Sequence, residues 1–126
     1  MGAPPLLVEF AEKRNIEGIL LLLEHHADVN AGPPKYNTAL WAAASQGDTA
    51  LVAILLEAGA DPDLRIWSST TPLIEACLQG HSEVIELLVH GKADLDAIGG
   101  RDGSALNTAI RQDDDPTVQL LLQHGA

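Results

Sequence analysis

The chain has 126 residues, of which 46% are hydrophobic and 3% aromatic, so we expect a core built from aliphatic side chains. Its formal charge of −11 disfavours binding to nucleic-acid phosphates and to anionic membrane surfaces. A single cysteine leaves no disulfide framework within the chain, which is typical of an intracellular protein, cytoplasmic or nuclear.

The sequence predicts four pairs of helices along the chain. The first pair lies within residues 5–28, the second within 37–61, the third within 71–94 and the fourth within 103–126. The apolar run at 19–23 is far too short to span a bilayer, and so is every other apolar run in the sequence. Because each pair is too small to bury its own apolar faces, the pairs are expected to stack and bury them together.

Residues at the ends of these helices indicate where each one starts and stops. Gly47 and Gly80 are expected to end a first helix in the left-handed conformation, and Pro72 suits the first position of another. In the fourth pair, Asp115 is expected to cap the last helix, with Pro116 at its first position. N-cap residue types open the first helix of the last three pairs, and they are Thr38, Thr71 and Ser104.

The four pairs repeat in one unbroken register of 33 residues. The stretch "NTALWAAASQGDTALVAILLEAGAD" falls on "TTPLIEACLQGHSEVIELLVHGKAD" without a gap when it is shifted by that period. Four aligned copies are hard to obtain by chance, and they indicate a solenoid. The aligned leucines are Leu7, Leu40, Leu73 and Leu106 in the first helices, and Leu22, Leu55, Leu88 and Leu121 in the second.

The motifs "TALWAA" at 38–43, "TPLIEA" at 71–76 and "SALNTA" at 104–109 open the first helices. Together with the 33-residue period, they resemble the T-P-L-H-x-A signature of ankyrin repeats over essentially the whole chain. The resemblance implies an all-α ankyrin-repeat solenoid of stacked helix-turn-helix units joined by β-hairpin-like loops. It also implies a single ankyrin-repeat domain, residues 1–126, with repeats of about 1–31, 32–64, 65–97 and 98–126, the last of them truncated.

The chain departs from the ankyrin pattern at two kinds of aligned position, called columns below. In the family, the signature histidine helps to tie neighbouring units by hydrogen bonds, so its absence predicts weaker ties here. The residues in that column are Val8, Trp41, Ile74 and Asn107. Two glycine columns are also interrupted, by Arg14, His26, Lys92 and Asp113. The first repeat is therefore expected to be an atypical, capping one.

The final helix, "TVQLLLQ" at 117–123, is as apolar as an internal one, whereas solenoids usually end in a polar repeat. We therefore expect the chain to be a fragment of a longer protein, or its last helix to be covered by a partner or another copy. The chain would be a monomer or would make contacts through this uncapped C-terminal repeat.

Chemically reactive residues form no recognisable site in the sequence. No nucleophile motif such as G-x-S-x-G occurs, so no catalytic residue and no enzyme activity is predicted. Cys77 replaces a small alanine in a core column, and it is expected to be buried and inert. Helix dipoles explain the histidines at the ends of second helices, and equivalent histidines two or three repeats apart cannot share one ion. These residues are His25, His26, His90 and His124. No metal ligand or cofactor is predicted.

A binding surface for a protein or peptide is what the resemblance implies. Ankyrin proteins typically bind partners through their hairpin tips and the exposed face of their first helices, which line a concave surface. Basic residues there either make a locally neutral groove suited to a mixed or acidic peptide, or occupy permissive exposed positions by accident. The matching residues are Lys35, Tyr36, Ile66, Trp67 and Arg101 at the tips, and Glu75, Leu78 and Arg111 on the helices.

Trp67 has two equally weighted interpretations. It lies in a polar tip outside the core columns, and tryptophan is enriched at binding hot spots. Its other interpretation is packing against a neighbouring hairpin or against Trp41. The functional hypothesis is a non-catalytic protein–protein interaction module. The alternative is a structural spacer or regulatory ankyrin arm of a larger multidomain enzyme or receptor.

Overall fold

The computed structural model of the chain describes residues 5–31, 38–64 and 70–126. Within these ranges the chain is all-α, as predicted, and its β-structure is limited to one isolated antiparallel bridge between Gly99 and Gly103. The helices are α1 (Leu6–Glu12), α2 (Ile16–Glu24), α3 (Ala39–Gln46), α4 (Thr49–Glu57), α5 (Pro72–Gln79), α6 (Ser82–His90), α7 (Ala105–Arg111) and α8 (Asp115–Gln123).

The predicted N-caps of the first helices are confirmed. The side chains of Thr38, Thr71 and Ser104 each accept a hydrogen bond from the backbone N–H three residues later, at 3.1, 3.2 and 3.1 Å. The predicted glycine ends are confirmed as well, because Gly47 and Gly80 follow α3 and α5 with φ of 73° and 74°. Only glycine adopts that conformation without steric cost, so these glycines define where the first helices stop.

The predicted cap of the last helix was wrong by one residue. Asp114, not Asp115, precedes α8, and its carboxylate accepts hydrogen bonds from the backbone N–H and the hydroxyl of Thr117, at 3.3 and 2.7 Å. Asp115 is the first residue of the helix and Pro116 the second. The shift arises because Asp113 takes the left-handed conformation, with φ of 56°, so the next residue is the first that can act as N-cap.

The interrupted glycine columns keep the glycine conformation. Arg14, His26, Lys92 and Asp113 have φ of 58°, 64°, 69° and 56°, although none of them is glycine. The left-handed region costs an ordinary L-residue about 1–2 kcal/mol. The stacking of the repeats therefore fixes the backbone at these turns even where the local residue disfavours it.

The helices pack in two rows. First helices α1, α3, α5 and α7 lie against one another in order, and second helices α4, α6 and α8 do the same. Leu55, Leu88 and Leu121 are completely buried in the second row. Small side chains line the first row, which lets those backbones approach closely. The buried small residues are Ala11, Ala43, Ala44, Ala76, Cys77 and Ala109.

Candidate protein-binding surface

The C-terminal ends of the first helices are tied to one another by glutamine side chains. Gln46 at the end of α3 donates from Nε2 to the backbone carbonyl of Glu12 in α1, at 2.8 Å. Gln112, directly after α7, repeats this contact with the carbonyl of Leu78 in α5, at 3.0 Å. Arg14 adds a bond from Nη2 to the carbonyl of Gln46, at 3.0 Å. Each bond satisfies a carbonyl that a helix end leaves without an intrahelical partner.

The tie between α3 and α5 is made by a histidine instead. His81 lies after Gly80, and its Nε2 donates to the carbonyl of Ser45, at 3.0 Å. That carbonyl corresponds to those of Glu12 and Leu78 in the neighbouring repeats. Gln79 is thereby left to donate to Oε2 of Glu75 in its own helix, at 2.9 Å. All three junctions between first helices are thus bridged by side-chain hydrogen bonds.

A second link between α3 and α5 starts at Trp41, in the column of the missing signature histidine. Its indole Nε1 donates to Oγ1 of Thr70, at 3.1 Å, and Thr70 donates to Oε1 of Glu75, also at 3.1 Å. Glu75 is 9% exposed, so its carboxylate accepts the bond from Thr70 inside the structure. The indole N–H therefore supplies an inter-repeat tie that the sequence had not suggested.

The predicted surface residues near the fourth repeat lie in the hairpin loop and on α7. Arg111 is 63% exposed, and its Nε donates to Oδ1 of Asp102, a side chain only 10% exposed, at 2.8 Å. Arg101 next to it is exposed. Leu78 is half-buried and packs against the core from α5. Leu78 and Arg111 thus lie near the ends of the neighbouring first helices α5 and α7, and Arg101 lies in the loop before α7.

Four of the predicted tip residues fall in segments that the structure does not describe. These are Lys35, Tyr36, Ile66 and Trp67. The two interpretations of Trp67 therefore stay open. In contrast, Trp41 is placed by its bond to Thr70.

The turns in which each second helix runs into the next repeat are acidic. The Asn30 side chain accepts from the N–H of Asp61, at 2.8 Å, and the Asp63 side chain accepts from the N–H of Asp94, at 2.7 Å. Asp61, Asp63, Asp94 and Asp96 are all exposed in these turns. Of the lysines and arginines in the described ranges, Lys92 lies directly before one of these turns.

Apolar side chains are also exposed at the last repeat. Ile110 of α7 and Leu122 of α8 are 52% and 53% exposed. One repeat earlier, their columns hold Cys77 and Val89, which are buried at 1% and 5%. The fourth repeat packs on the third and covers Cys77 and Val89. Nothing in the described residues covers Ile110 and Leu122.

Comparison with protein-family models identifies these repeats. A model for ankyrin repeats in many copies matches residues 40–89, and one for ankyrin repeats in three copies matches residues 66–126. The chain belongs to the ankyrin repeat family. A search of curated proteins finds no match. Ankyrin repeats are generally protein–protein interaction modules and are typically non-catalytic.

The cysteine of this ankyrin domain is buried, as predicted. Cys77 is 1% exposed in α5. Burial raises the pKa of its thiol from 9.0 to about 12, and the negative charge of Asp114 adds to the rise. Because the thiolate is the reactive form, the Cys77 side chain is a poor nucleophile at neutral pH. It fills a core position between neighbouring first helices.

Neither a membrane span nor a three-ligand metal site is found in the described part of this ankyrin domain. None of its helices is both long and apolar enough to cross a bilayer. No group of three or more His, Cys, Asp or Glu side chains in those ranges is arranged to hold a metal ion. An open groove between α4 and α6 is lined by Gly47, His81, Ser82 and Glu83, among others.

Proposed function

We propose that this ankyrin domain is a non-catalytic module that binds a peptide segment of a partner protein. The binding surface would be the exposed face of α3, α5 and α7 together with the hairpin tips. The observation that carries the proposal is the set of side-chain bonds across this face. Gln46, His81 and Gln112 join each first helix to the one before it.

These bonds favour binding because they hold the surface in one arrangement before a partner arrives. Association costs free energy for every side chain and segment that becomes ordered. The exposed guanidinium of Arg111 already has a fixed partner in Asp102, so less order has to be gained on binding. A preformed surface of this kind suits an extended peptide that runs across several repeats.

The charges on this face support an acidic or mixed peptide. Arg101 and Arg111 are exposed in a chain whose formal charge is −11. Asp102 balances part of the charge of Arg111 from a nearly buried position. Leu78 adds an apolar contact one helix away. A peptide that alternates carboxylate and aliphatic side chains complements this pattern.

The experiment is a selection of binding peptides from a displayed library, followed by affinity measurements on two variants. The test variant is Arg101→Ala with Arg111→Ala. The control is Ala50→Glu with Gln119→Glu, at two exposed positions on second helices. Both variants lower the net charge by the same amount, and both are checked for folding by circular dichroism and urea melts.

We expect the selected peptides to be rich in acidic and aliphatic residues, and to bind the wild type and the control equally. Binding to the test variant should be lost or weakened about tenfold or more, as for hot-spot residues. Equal binding by both variants would place the site elsewhere on the domain. Failure to select any peptide that binds the folded chain would contradict the proposal.

A further inference from the structure

Two histidines from neighbouring repeats meet at the ends of second helices. His90 is the last residue of α6, and His124 follows α8 as its C-cap. Their ring centroids are 5.4 Å apart and their planes are perpendicular. Both side chains are exposed. The two residues belong to different columns of the repeat, so the expectation that equivalent histidines are too far apart to share an ion does not apply to them.

Hydrogen bonds fix the tautomer and the direction of both rings. Nδ1 of His90 donates to the carbonyl of Glu86, at 2.8 Å, and Nδ1 of His124 donates to the carbonyl of Leu120, at 2.9 Å. A carbonyl can only accept, so each neutral ring carries its proton on Nδ1 and has a lone pair on Nε2. Neither Nε2 atom makes a hydrogen bond within the described residues.

An imidazole whose second nitrogen donates to a backbone carbonyl is the usual arrangement of a metal-bound histidine. Zinc binds an imidazole nitrogen at about 2.0–2.1 Å, and tetrahedral geometry then puts the centroids of two such rings about 5 Å apart. The separation between His90 and His124 is close to that value. Imidazole nitrogen suits zinc, copper and nickel better than magnesium or calcium.

We propose that Nε2 of His90 and Nε2 of His124 bind one divalent transition-metal ion between the third and fourth repeats. With no group of three potential ligands in the described residues, water completes the coordination. A two-histidine site of this kind binds zinc reversibly and more weakly than a structural zinc site with four protein ligands. The ion would clasp α6 to α8. Neither histidine belongs to the proposed peptide surface, so the two proposals are independent.

The test is to titrate the folded chain with zinc alone at pH 7.5 and to measure the heat of binding by calorimetry. The variants are His90→Gln and His124→Gln, because glutamine keeps a polar side chain and removes the imidazole. The matched control is His25→Gln, at the corresponding C-cap of the first repeat. We expect saturable binding of one ion by the wild type and the control, and binding about tenfold or more weaker in either test variant.

Two further readouts separate this site from adventitious binding. Imidazole ¹⁵N spectra should show Nε2 of His90 and His124 shifting with zinc, while Nδ1 of both keeps its proton. Zinc should also raise the Tm of the wild type and of His25→Gln, because a ligand that binds only the folded state stabilises it. The Tm of both test variants should hardly change. Zinc binding that survives in both test variants, spectral shifts confined to other histidines, or no saturable binding would overturn the proposal.

Discussion

The indole Nε1 of Trp41 donates a hydrogen bond to Oγ1 of Thr70 across the junction between α3 and α5, at 3.1 Å. Thr70 passes the link on to the buried carboxylate of Glu75, which Gln79 holds from its other side. In this junction a tryptophan donor thus stands where the family signature has a histidine. The chain of bonds fixes the base of the proposed binding surface.

The first prediction concerns this donor. Trp41→Phe removes the N–H and keeps an aromatic ring, so the free energy of unfolding should fall by about 1 kcal/mol, as for one hydrogen bond. Thr70→Val should cost more, because it also removes the bond to Glu75. Urea melts of both variants and of the double variant would measure this. If the two effects simply add, the bond between Trp41 and Thr70 is not formed in solution.

The second prediction compares two leucines on neighbouring second helices. Leu88 is fully buried in α6, whereas Leu122 in α8 is 53% exposed. Leu88→Ala should destabilise the fold by about 2–5 kcal/mol, because it leaves a cavity in the core. Leu122→Ala should change stability by about 0.5 kcal/mol or less. Equal shifts of the two urea midpoints would contradict the observed packing.

The third prediction uses glycines with the same backbone conformation. Gly47 and Gly80 have φ of 73° and 74°. A Cβ at Gly80 meets nothing within 4 Å, whereas at Gly47 it comes within 2.5 Å of Nδ1 of His81. Gly80→Ala should cost about 1–2 kcal/mol from backbone strain alone. Gly47→Ala should cost more, because it also displaces the ring that bonds to Ser45. Thermal melts would rank the two.

The fourth prediction reverses the sign of that effect. Lys92 is exposed and has φ of 69°, in a column where Gly59 and Gly125 stand. Lys92→Gly should stabilise the chain by up to about 1 kcal/mol, since the strain that is relieved exceeds the entropy cost of glycine. The control is Lys92→Ala, which removes the same charge but keeps a Cβ. A rise in Tm for the alanine variant as large as that for glycine would show that charge, not strain, decides.

The fifth prediction concerns the pH dependence introduced by Cys77. Its thiol has a pKa of about 12 in the folded chain and 9.0 as the ordinary value. Below pH 9 both states keep the proton, so the thiol adds no pH dependence. Between pH 9 and 12 only the unfolded chain loses it, and stability should fall by up to about 1.4 kcal/mol per pH unit.

Cys77→Ala is the control, because alanine occupies the same column at Ala11 and Ala44. Urea melts at pH 8 and pH 10.5 should show a smaller loss of stability for this variant than for the wild type. In the folded wild type, labelling of the thiol at pH 8 should be slow, and urea should make it fast. Rapid labelling without urea would show that the thiol is accessible, and it would contradict both the burial of Cys77 and its raised pKa.

Much of the fold follows from the 33-residue period alone. The position of a residue within the repeat is enough to predict the burial of Leu88, the N-caps at Thr38 and Thr71, and the helix ends at Gly47 and Gly80. The same columns could also have placed the last cap, because Asp48 caps α4 at the position that Asp114 occupies before α8. The proline after Asp115 instead suggests a cap one residue later than the register does.

The candidate sites were less predictable, because the position of a residue within the repeat does not determine where its side chain points. Glu75 was expected on the binding face, and its carboxylate accepts bonds from Thr70 and Gln79 while only 9% of the residue is exposed. The meeting of His90 and His124 depends on both rings turning back onto their own helices. The 33-residue period alone does not predict this contact.

The long-range side-chain bonds of the described residues share one property with consequences for mechanics. Each of these hydrogen bonds joins two residues about one repeat apart. The separation ranges from 29 residues, between Trp41 and Thr70, to 36 residues, between Ser45 and His81. Such a chain has low contact order and should fold quickly from more than one starting point. Pulled from its two ends, it should not rupture in a single event but should peel off one repeat after another, in steps of similar length.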